Sequence, residues 1–245
     1  MIENKQNLWE LGDETQGDLL FYGYRDPILQ WKDAIIPIVF DTIYTEEQRE
    51  WIMKSLMEIT SRSCIKFIPP LKGERDYVFI THHKKGCSSY IGKRGGLQIL
   101  NLTPSKPGTD CFQTSVIVHE FLHVLGFIHQ QSVPNRDDYV HILYDNIKPG
   151  KKKDFEKHVG SGKILNEEYD FLSIMHYSPY AKSKNGEKTI IPKNSSIVLK
   201  KNTKLSKMDV EKINKAYCNK PVPTSTTQDK IVINGSRSKT RASKL

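Results

Sequence analysis

The pattern of apolar and polar positions predicts a chain of mixed helices and strands that begins near Trp31. Residues 46–60 place apolar side chains on one face behind Thr45, whose hydroxyl suits a helix N-cap, so we predict a helix there. Residues 207–217 show the same spacing and predict a final helix. Short apolar runs between turn residues predict strands over residues 35–40, 65–68, 77–81 and 97–102.

The strongest helical segment covers residues 113–127, where Gly126 is able to end the helix. The chain on either side of the patterned region is polar. Residues 1–25 lack a clear period, and residues 219–245 are rich in Pro, Ser, Thr and basic side chains. We expect this last segment to be a disordered basic tail, because it offers few apolar side chains to bury. Residues 26–218 are therefore the candidate folded domain.

A chain of 245 residues with 37% hydrophobic side chains is long enough for one folded domain with tails or for two small domains. The formal net charge of +9 would suit a nucleic-acid partner, because Lys and Arg neutralise phosphates without regard to base sequence. The excess lies instead in short runs such as residues 151–153 and in the tail, without interleaved aromatic residues. We interpret it as a solvated surface and expect no nucleic-acid partner; salt-sensitive affinity that ignores chelators would indicate the alternative.

Several features of the sequence concern the cellular compartment of the protein, and the cysteines and sequons favour export to an oxidising, extracellular environment. Four cysteines without a C-x-x-C pair favour two disulfides over free thiols, with three pairings possible. Sequons begin at Asn101, Asn194 and Asn234 and would also fit a secreted protein. No run approaches the roughly 20 apolar residues of a membrane span, so we expect none. Residues 1–14 lack the apolar core of a signal peptide, and we expect any export signal to lie outside this chain.

The most informative motif is the His-Glu-Phe-Leu-His run that begins at His119 and ends at His123. One helical turn separates the two imidazoles, so both can reach one metal at about 2.0–2.1 Å. Glu120 is positioned to deprotonate a water molecule beside that metal. Gly126 allows the chain to turn back, which makes His129 a third ligand and leaves positions open for water and substrate. The pattern predicts a catalytic site with one Zn²⁺ per chain, since a helix with surface histidines would explain neither Gly126 nor His129.

This motif and a second stretch further along the chain carry a resemblance to a known family. Residues 119–129 resemble the long zinc motif of the metzincins, and Ser173-Ile174-Met175-His176-Tyr177 resembles the Met-turn of the astacin family. Supporting matches are Cys87-Ser88-Ser89-Tyr90-Ile91-Gly92, Gly95-Gly96, Arg136-Asp137, Tyr139 and the four cysteines. The chain is therefore similar to the astacin zinc metalloendopeptidases over roughly residues 31–218.

The resemblance implies an α+β fold with a metzincin-like, two-lobed catalytic domain. A twisted, mostly parallel five-stranded sheet with an antiparallel edge strand and two long helices would lie above the cleft, and an irregular lower lobe with a C-terminal helix below it. In family terms, the edge strand around Ser88, Ser89 and Tyr90 would bind an extended substrate by strand addition.

The resemblance also implies roles outside the zinc motif. Met175 would form an apolar floor under the metal, and Tyr177 would be a catalytic residue that helps to hold the developing oxyanion. Of the three possible cysteine pairings, the family favours Cys64 with Cys218 and Cys87 with Cys111.

Thr15-Gln16-Gly17-Asp18 resembles the prosegment motif of the family, in which an aspartate takes the zinc position meant for water. This implies a latent zymogen with residues 1–25 as prosegment, Asp18 as a metal ligand and an activating protease that cuts near Arg25. A short Gly-Asp turn is the alternative interpretation. Thr15 itself departs from the aromatic residue that usually opens the motif.

Four positions within the domain also depart from the family pattern: Val133 and Asn135 stand where the family usually has Arg and Asp, so we expect fewer ion pairs beneath the active site, and the other two are Gln130 and Asn202. Gln130 stands where astacins carry a Glu that meets the new amino terminus after activation. Asn202 stands where several relatives carry an Arg that favours acidic residues after the scissile bond. None of these positions is a zinc ligand, so we expect activity to survive while the docking of the mature amino terminus differs.

The expected function is a secreted, monomeric zinc endopeptidase that acts on proteins or peptides. The alternative is a secreted, non-catalytic binding protein on a protease scaffold, in which departures such as Gln130 reflect relaxed constraint. An intact Glu120 beside three intact histidines argues for the enzyme.

Overall fold

The computed structural model describes residues 30–158 and 168–218. The predicted prosegment at residues 1–25 and the predicted tail at residues 219–245 lie outside the described residues. Within the described ranges, no helix is both long enough and apolar enough to cross a membrane.

The sheet has five strands: β1 Ile35–Phe40, β2 Lys66–Ile68, β3 Tyr77–Thr81, β4 Cys87–Ser89 and β5 Leu97–Leu102. Their spatial order is β2-β1-β3-β5-β4, and every neighbouring pair is parallel except β4 with β5. This arrangement confirms the predicted mostly parallel sheet with an antiparallel edge strand. Parallel neighbours need a long crossover, and the crossover from β1 to β2 contains helix α1, Glu46–Thr60.

α1 begins where the sequence predicts, because Thr45 and Gln48 cap it reciprocally. The Gln48 amide donates to the Thr45 hydroxyl at 3.2 Å, and the Thr45 amide donates to the Gln48 side-chain oxygen at 3.0 Å. The apolar face of Ile52, Leu56 and Ile59 is buried, and α1 packs against α2, Thr114–Val124. Burying each such side chain contributes about 1.5–3 kcal/mol.

α2 ends at Val124 rather than at Phe127, so the predicted end of this helix is wrong. Gly126 adopts a left-handed conformation with φ of 98° and donates its N–H to the His123 carbonyl at 2.8 Å. The N–H of Phe127 donates to the Leu122 carbonyl at 3.0 Å. These two bonds form a Schellman motif, which ends the helix and reverses the chain. Gly126 therefore stops the helix as predicted, but the last helical residue is Val124, three positions before the predicted end.

The lower part of the molecule is mostly turns and short 3₁₀ segments, as the family resemblance implies. It holds a two-stranded antiparallel ribbon of β6 Val140–Ile142 and β7 Ile190–Pro192, which the sequence analysis missed. Helix α3, Lys207–Tyr217, begins at the predicted position because Ser206 and Asp209 cap it reciprocally.

Two disulfides have the pairing that the family resemblance implies. Cys64 is joined to Cys218, which ties the end of α3 to the segment after α1. Cys87 is joined to Cys111, which ties β4 to the segment before α2. The alternative of free buried thiols is therefore wrong, since all four cysteines lie in the described ranges and are paired.

Candidate metal centre

Three histidines meet at the C-terminal end of α2. The helix presents His119 and His123 one turn apart, with ring centroids separated by 4.7 Å. The turn at Gly126 brings His129 back beside them, its ring centroid 4.7 Å from that of His123 and 5.3 Å from that of His119. All three side chains are buried. The fold thus brings together the three residues that the sequence predicts as metal ligands.

The nitrogen atoms of this cluster have the spacing that a bound cation requires. One nitrogen from each histidine lies within 4.8 Å of the other two. Nε2 of His119 and Nε2 of His129 are 3.3 Å apart. Two tetrahedral zinc ligands at about 2.0–2.1 Å from the metal are themselves separated by about 3.3–3.4 Å. The cluster therefore fits a zinc ion without movement of these two rings.

Backbone carbonyl groups orient two of the three rings. Nδ1 of His119 lies 3.0 Å from the Ile174 carbonyl oxygen, and Nδ1 of His123 lies 2.8 Å from the Phe127 carbonyl oxygen. A carbonyl oxygen only accepts hydrogen bonds, so each Nδ1 carries the hydrogen. Nε2 of each neutral ring then keeps the lone pair that binds a metal.

Glu120 lies next to His119 on α2 and is completely buried. Its backbone carbonyl accepts a hydrogen bond from the Ser89 hydroxyl at 2.9 Å. One turn further along, the His123 carbonyl accepts a hydrogen bond from the Gly92 amide at 2.8 Å. These two bonds fasten the strand β4 and the loop after it to the helix that carries the cluster.

The predicted edge strand lies where the family resemblance implies. Ser88 and Ser89 belong to β4 and pair with β5, while Tyr90 follows directly after the strand. Within the part of the sheet that the structure describes, β4 has a neighbouring strand on one side only. Both serines are buried.

The Met-turn lies against the third histidine, since the ring of Tyr177 is 4.7 Å from that of His129. The Met175 carbonyl accepts a hydrogen bond from the Gln130 amide at 3.0 Å. The Tyr177 amide donates to the Gln131 side-chain oxygen at 3.2 Å. The two glutamines that follow His129 therefore hold the turn that carries Met175 and Tyr177, both of which are buried.

Gln130 and Asn202, which depart from the family pattern, have hydrogen-bond partners within the protein. The side-chain oxygen of Gln130 accepts a hydrogen bond from the Asp170 amide at 2.9 Å. Asn202 donates through Nδ2 to the carbonyl oxygens of Phe171, at 2.9 Å, and Ser173, at 3.0 Å. The amide group of Asn202 thus supports the chain that leads into the Met-turn.

Several groups that orient the site were not singled out by the sequence analysis. Ile174 and Phe127 act through carbonyl oxygens, which every residue type carries, so no side-chain pattern reveals them. Gln131 lies close to the third histidine in sequence, but its partner Tyr177 is 46 residues away. Only the fold identifies that contact.

A His-Glu-x-x-His helix whose imidazoles meet a third histidine is the arrangement of zinc-dependent peptidases, and the fold and the site together define that class. Comparison with protein families is more specific, because the family model for the astacin peptidases matches residues 24–218. The chain belongs to the astacin family, which confirms the resemblance drawn from its motifs.

Individual proteins support the same assignment. The chain is 38% identical over 191 residues to zinc metalloproteinase nas-14 of Caenorhabditis elegans, covering 76% of this chain and 37% of that protein. It is also 38% identical over 210 residues to zinc metalloproteinase nas-15 of the same nematode, covering 83% and 36%. A solved structure, that of high choriolytic enzyme 1, a hatching enzyme zinc-protease from the medaka fish Oryzias latipes, matches with a TM-score of 0.69 and 31% identity, over 78% of this chain and 94% of that one. The chain thus spans little more than a third of the two nematode proteins.

Proposed function

We propose that this chain is a zinc-dependent endopeptidase that hydrolyses peptide bonds in proteins and peptides. The observation that carries the proposal is the buried cluster of His119, His123 and His129, whose nitrogen spacing fits one zinc ion. Carbonyl groups orient two of these rings, and Glu120 is the adjacent residue on the same helix. Membership of the astacin family and the names of the zinc proteinases that it resembles support the same activity.

In this proposal each residue around the cluster has its own role in catalysis. Bound zinc supplies Lewis acidity, which makes water nucleophilic near neutral pH. Glu120 takes a proton from the attacking water and passes it to the nitrogen of the leaving amine. The Tyr177 hydroxyl donates a hydrogen bond to the oxyanion that develops on the scissile carbonyl. Met175 supplies an apolar floor that keeps water from the far side of the cluster.

The substrate is proposed to bind as an extended strand along β4. An edge strand offers backbone amide and carbonyl groups to a second strand, whatever the side chains of that strand are. Ser89 supports this role, because its hydroxyl fixes β4 to the carbonyl of Glu120. A substrate paired with β4 would therefore have a constant register relative to the catalytic glutamate.

Peptide cleavage by the activated protein tests the proposed activity. We expect a chelator to abolish cleavage and added zinc to restore it. Glu120→Gln should bind zinc normally yet lose at least roughly a hundredfold in rate, because the change deletes the base and keeps every ligand. Glu50→Gln, on the exposed face of α1, is the matched control and should behave like the wild type.

Two results of this experiment would contradict the proposal. A Glu120→Gln protein that cuts peptides at nearly the wild-type rate would remove Glu120 from the mechanism. An activated wild-type protein that binds zinc but cuts nothing in a broad peptide library would favour the non-catalytic binding protein instead.

We further propose that the chain is made as a latent zymogen, with residues 1–25 as its prosegment. The carboxylate of Asp18 would occupy the zinc position meant for water, since a tethered carboxylate is a good zinc ligand at high effective concentration. While Asp18 held that position, the catalytic water could not bind there, so the uncut chain would be inactive. Cleavage by an activating protease near Arg25 would relieve this latency.

Activity of the uncut chain tests this switch. Asp18→Ala should be substantially active before any cleavage, whereas Asp13→Ala, which removes a nearby carboxylate, should stay as latent as the wild type. An Asp18→Ala protein as inactive as its parent would mean that latency, if present, has another cause.

The neutral side chain of Gln130 bears on activation. Its oxygen already accepts a hydrogen bond from the Asp170 amide, and it carries no charge to pair with a new amino terminus. We therefore propose that activation depends mainly on removal of Asp18 from the zinc. Secretion as a monomer is proposed as well; the two disulfides fit an oxidising compartment.

A further inference from the structure

Asp209 makes hydrogen bonds that helix capping alone does not explain. Its carboxylate is buried, and Oδ2 accepts the N–H of Ser206 at 2.9 Å, as the α3 cap requires. Oδ2 also accepts the N–H of Ile174 at 3.0 Å, and Oδ1 accepts the Ser173 hydroxyl at 2.6 Å. These last two partners belong to the Met-turn. Burial raises the pKa of the Asp209 carboxyl, because the loss of hydration disfavours the charged form in the folded protein.

The bonds from Asp209 determine the direction of the Ile174 carbonyl group. The hydroxyl of Ser173 donates to Asp209 and accepts the N–H of Met175 at 3.0 Å. That N–H shares a planar trans peptide with the Ile174 carbonyl, and in such a peptide the two groups point in opposite directions. Holding the N–H toward Ser173 and Asp209 therefore aims the carbonyl at His119, whose Nδ1 lies 3.0 Å away.

We propose that Asp209 is a positioning residue for the metal ligand His119, acting through the peptide groups of Ser173, Ile174 and Met175. It holds the carbonyl that fixes the tautomer and orientation of the His119 ring. The inference rests on the proposed zinc centre and extends it to α3. The ligand His123 is independent of this path, because its carbonyl partner Phe127 lies on the helix-ending turn only four residues away.

The chain contains an internal control for the effect of helix capping. α1 carries the same reciprocal cap, formed by Thr45 and Gln48, at a position without bonds to the Met-turn. Loss of that cap should lower stability and leave the metal centre unchanged. A change in metal binding that follows Asp209 but not Thr45 is therefore specific to the path through the Met-turn.

The experiment measures zinc affinity by competition with a chelator, in the full chain, for the wild type, Asp209→Ala, Asp209→Asn and Thr45→Ala. We expect Asp209→Ala to weaken zinc binding about tenfold, the lower end of the range for residues that support a metal ligand, because it acts through an intervening peptide. Asp209→Asn keeps an acceptor for the two N–H groups and should retain most of the affinity. Thr45→Ala should bind zinc like the wild type.

Cobalt substitution gives a second measure, because the visible absorption of bound Co²⁺ reports ligand geometry. Asp209→Ala should shift this spectrum, whereas Thr45→Ala should not. Ser173→Ala removes the hydroxyl that links Asp209 to the Met175 N–H but leaves the α3 cap intact. This variant should therefore weaken zinc binding several-fold. It replaces Asp209→Ala as the test if Asp209→Ala does not fold.

Wild-type zinc affinity and an unchanged cobalt spectrum in folded Asp209→Ala, or in Ser173→Ala if the former is unfolded, would overturn the inference. A wild-type chain that binds no zinc would instead refute the proposed metal centre itself.

Discussion

His176 is completely buried and links two neighbouring residues through hydrogen bonds. The Tyr169 hydroxyl donates to Nε2 of His176 at 2.7 Å, and Nδ1 donates to the Tyr177 carbonyl at 2.7 Å. Burial lowers the pKa of His176 to about 4, although the bond to the Tyr177 carbonyl opposes this shift. Burial also raises the pKa of Tyr169, so its hydroxyl keeps the hydrogen that it donates. The imidazole is therefore a neutral bridge to the backbone of Tyr177.

We predict that His176 makes the protein less stable as the pH falls from 6.5 to 4, by on the order of 3 kcal/mol. In this range the unfolded chain binds a proton at His176 and the folded chain does not, so stability that is present above pH 6.5 is lost. Urea unfolding of the wild type and of His176→Asn at the same free zinc isolates this effect, because other titrating groups are shared. An identical pH dependence in both proteins would contradict the prediction.

At the scale of elements, α3 connects the segment that follows α2 to the Met-turn. Its C-terminal end is fixed by the Tyr217 hydroxyl, which donates to the Leu125 carbonyl at 2.6 Å, and by the Cys64–Cys218 disulfide. Its N-terminal end holds the Met-turn through Asp209. The helix thus links the end of α2 to the turn that lies against the third histidine.

We predict that the disulfide at the end of α3 contributes more stability than the other one. Cys64 and Cys218 are 154 positions apart, for which the chain-entropy estimate is about 5 kcal/mol as an upper value. Cys87 and Cys111 are 24 positions apart, which corresponds to roughly 3–4 kcal/mol. Urea unfolding of the two Cys→Ser double variants measures both losses. A greater loss from the shorter link would show that factors other than loop entropy dominate.

On the scale of the whole molecule, the metal centre lies between two lobes: the upper one contains the five-stranded sheet, α1 and α2, and the lower one contains the Met-turn and α3. His119 and His123 come from α2, which packs against α1 and the strand β4, whereas His129 follows the reversing turn and lies against the Met-turn. A bound ion would therefore join the upper and lower parts of the domain.

We predict that zinc stabilises the folded protein, so that the thermal midpoint rises with free zinc and falls on chelation. A ligand that binds only the folded state at a thousand times its Kd contributes about 4 kcal/mol. Thermal unfolding in metal-buffered solutions measures this dependence, and His123→Asn, which lacks one ligand, should lose most of it. A wild-type midpoint that does not respond to zinc would show that the ion does not join the lobes.

The sequence alone determined the features that depend on contacts between near neighbours. Thr45 and Gln48 cap α1 within one turn, so the start of that helix follows from residue type and spacing. The metal cluster is predictable for the same reason, because helix geometry sets the distance between His119 and His123 and the turn at Gly126 returns the chain. Such local rules act whatever the remainder of the chain does.

Only the tertiary structure decided the features that join distant segments. Asn101 begins a sequon, yet its side chain is buried and bonded to the backbone of Lys84 and Gly86, which leaves no room for a glycan. Asp209 bonds to Ile174, 35 positions away, through a backbone group that no side-chain pattern marks. Backbone groups are alike at every position, so the sequence cannot show which of them will meet a given side chain until the packing of the whole domain brings them together.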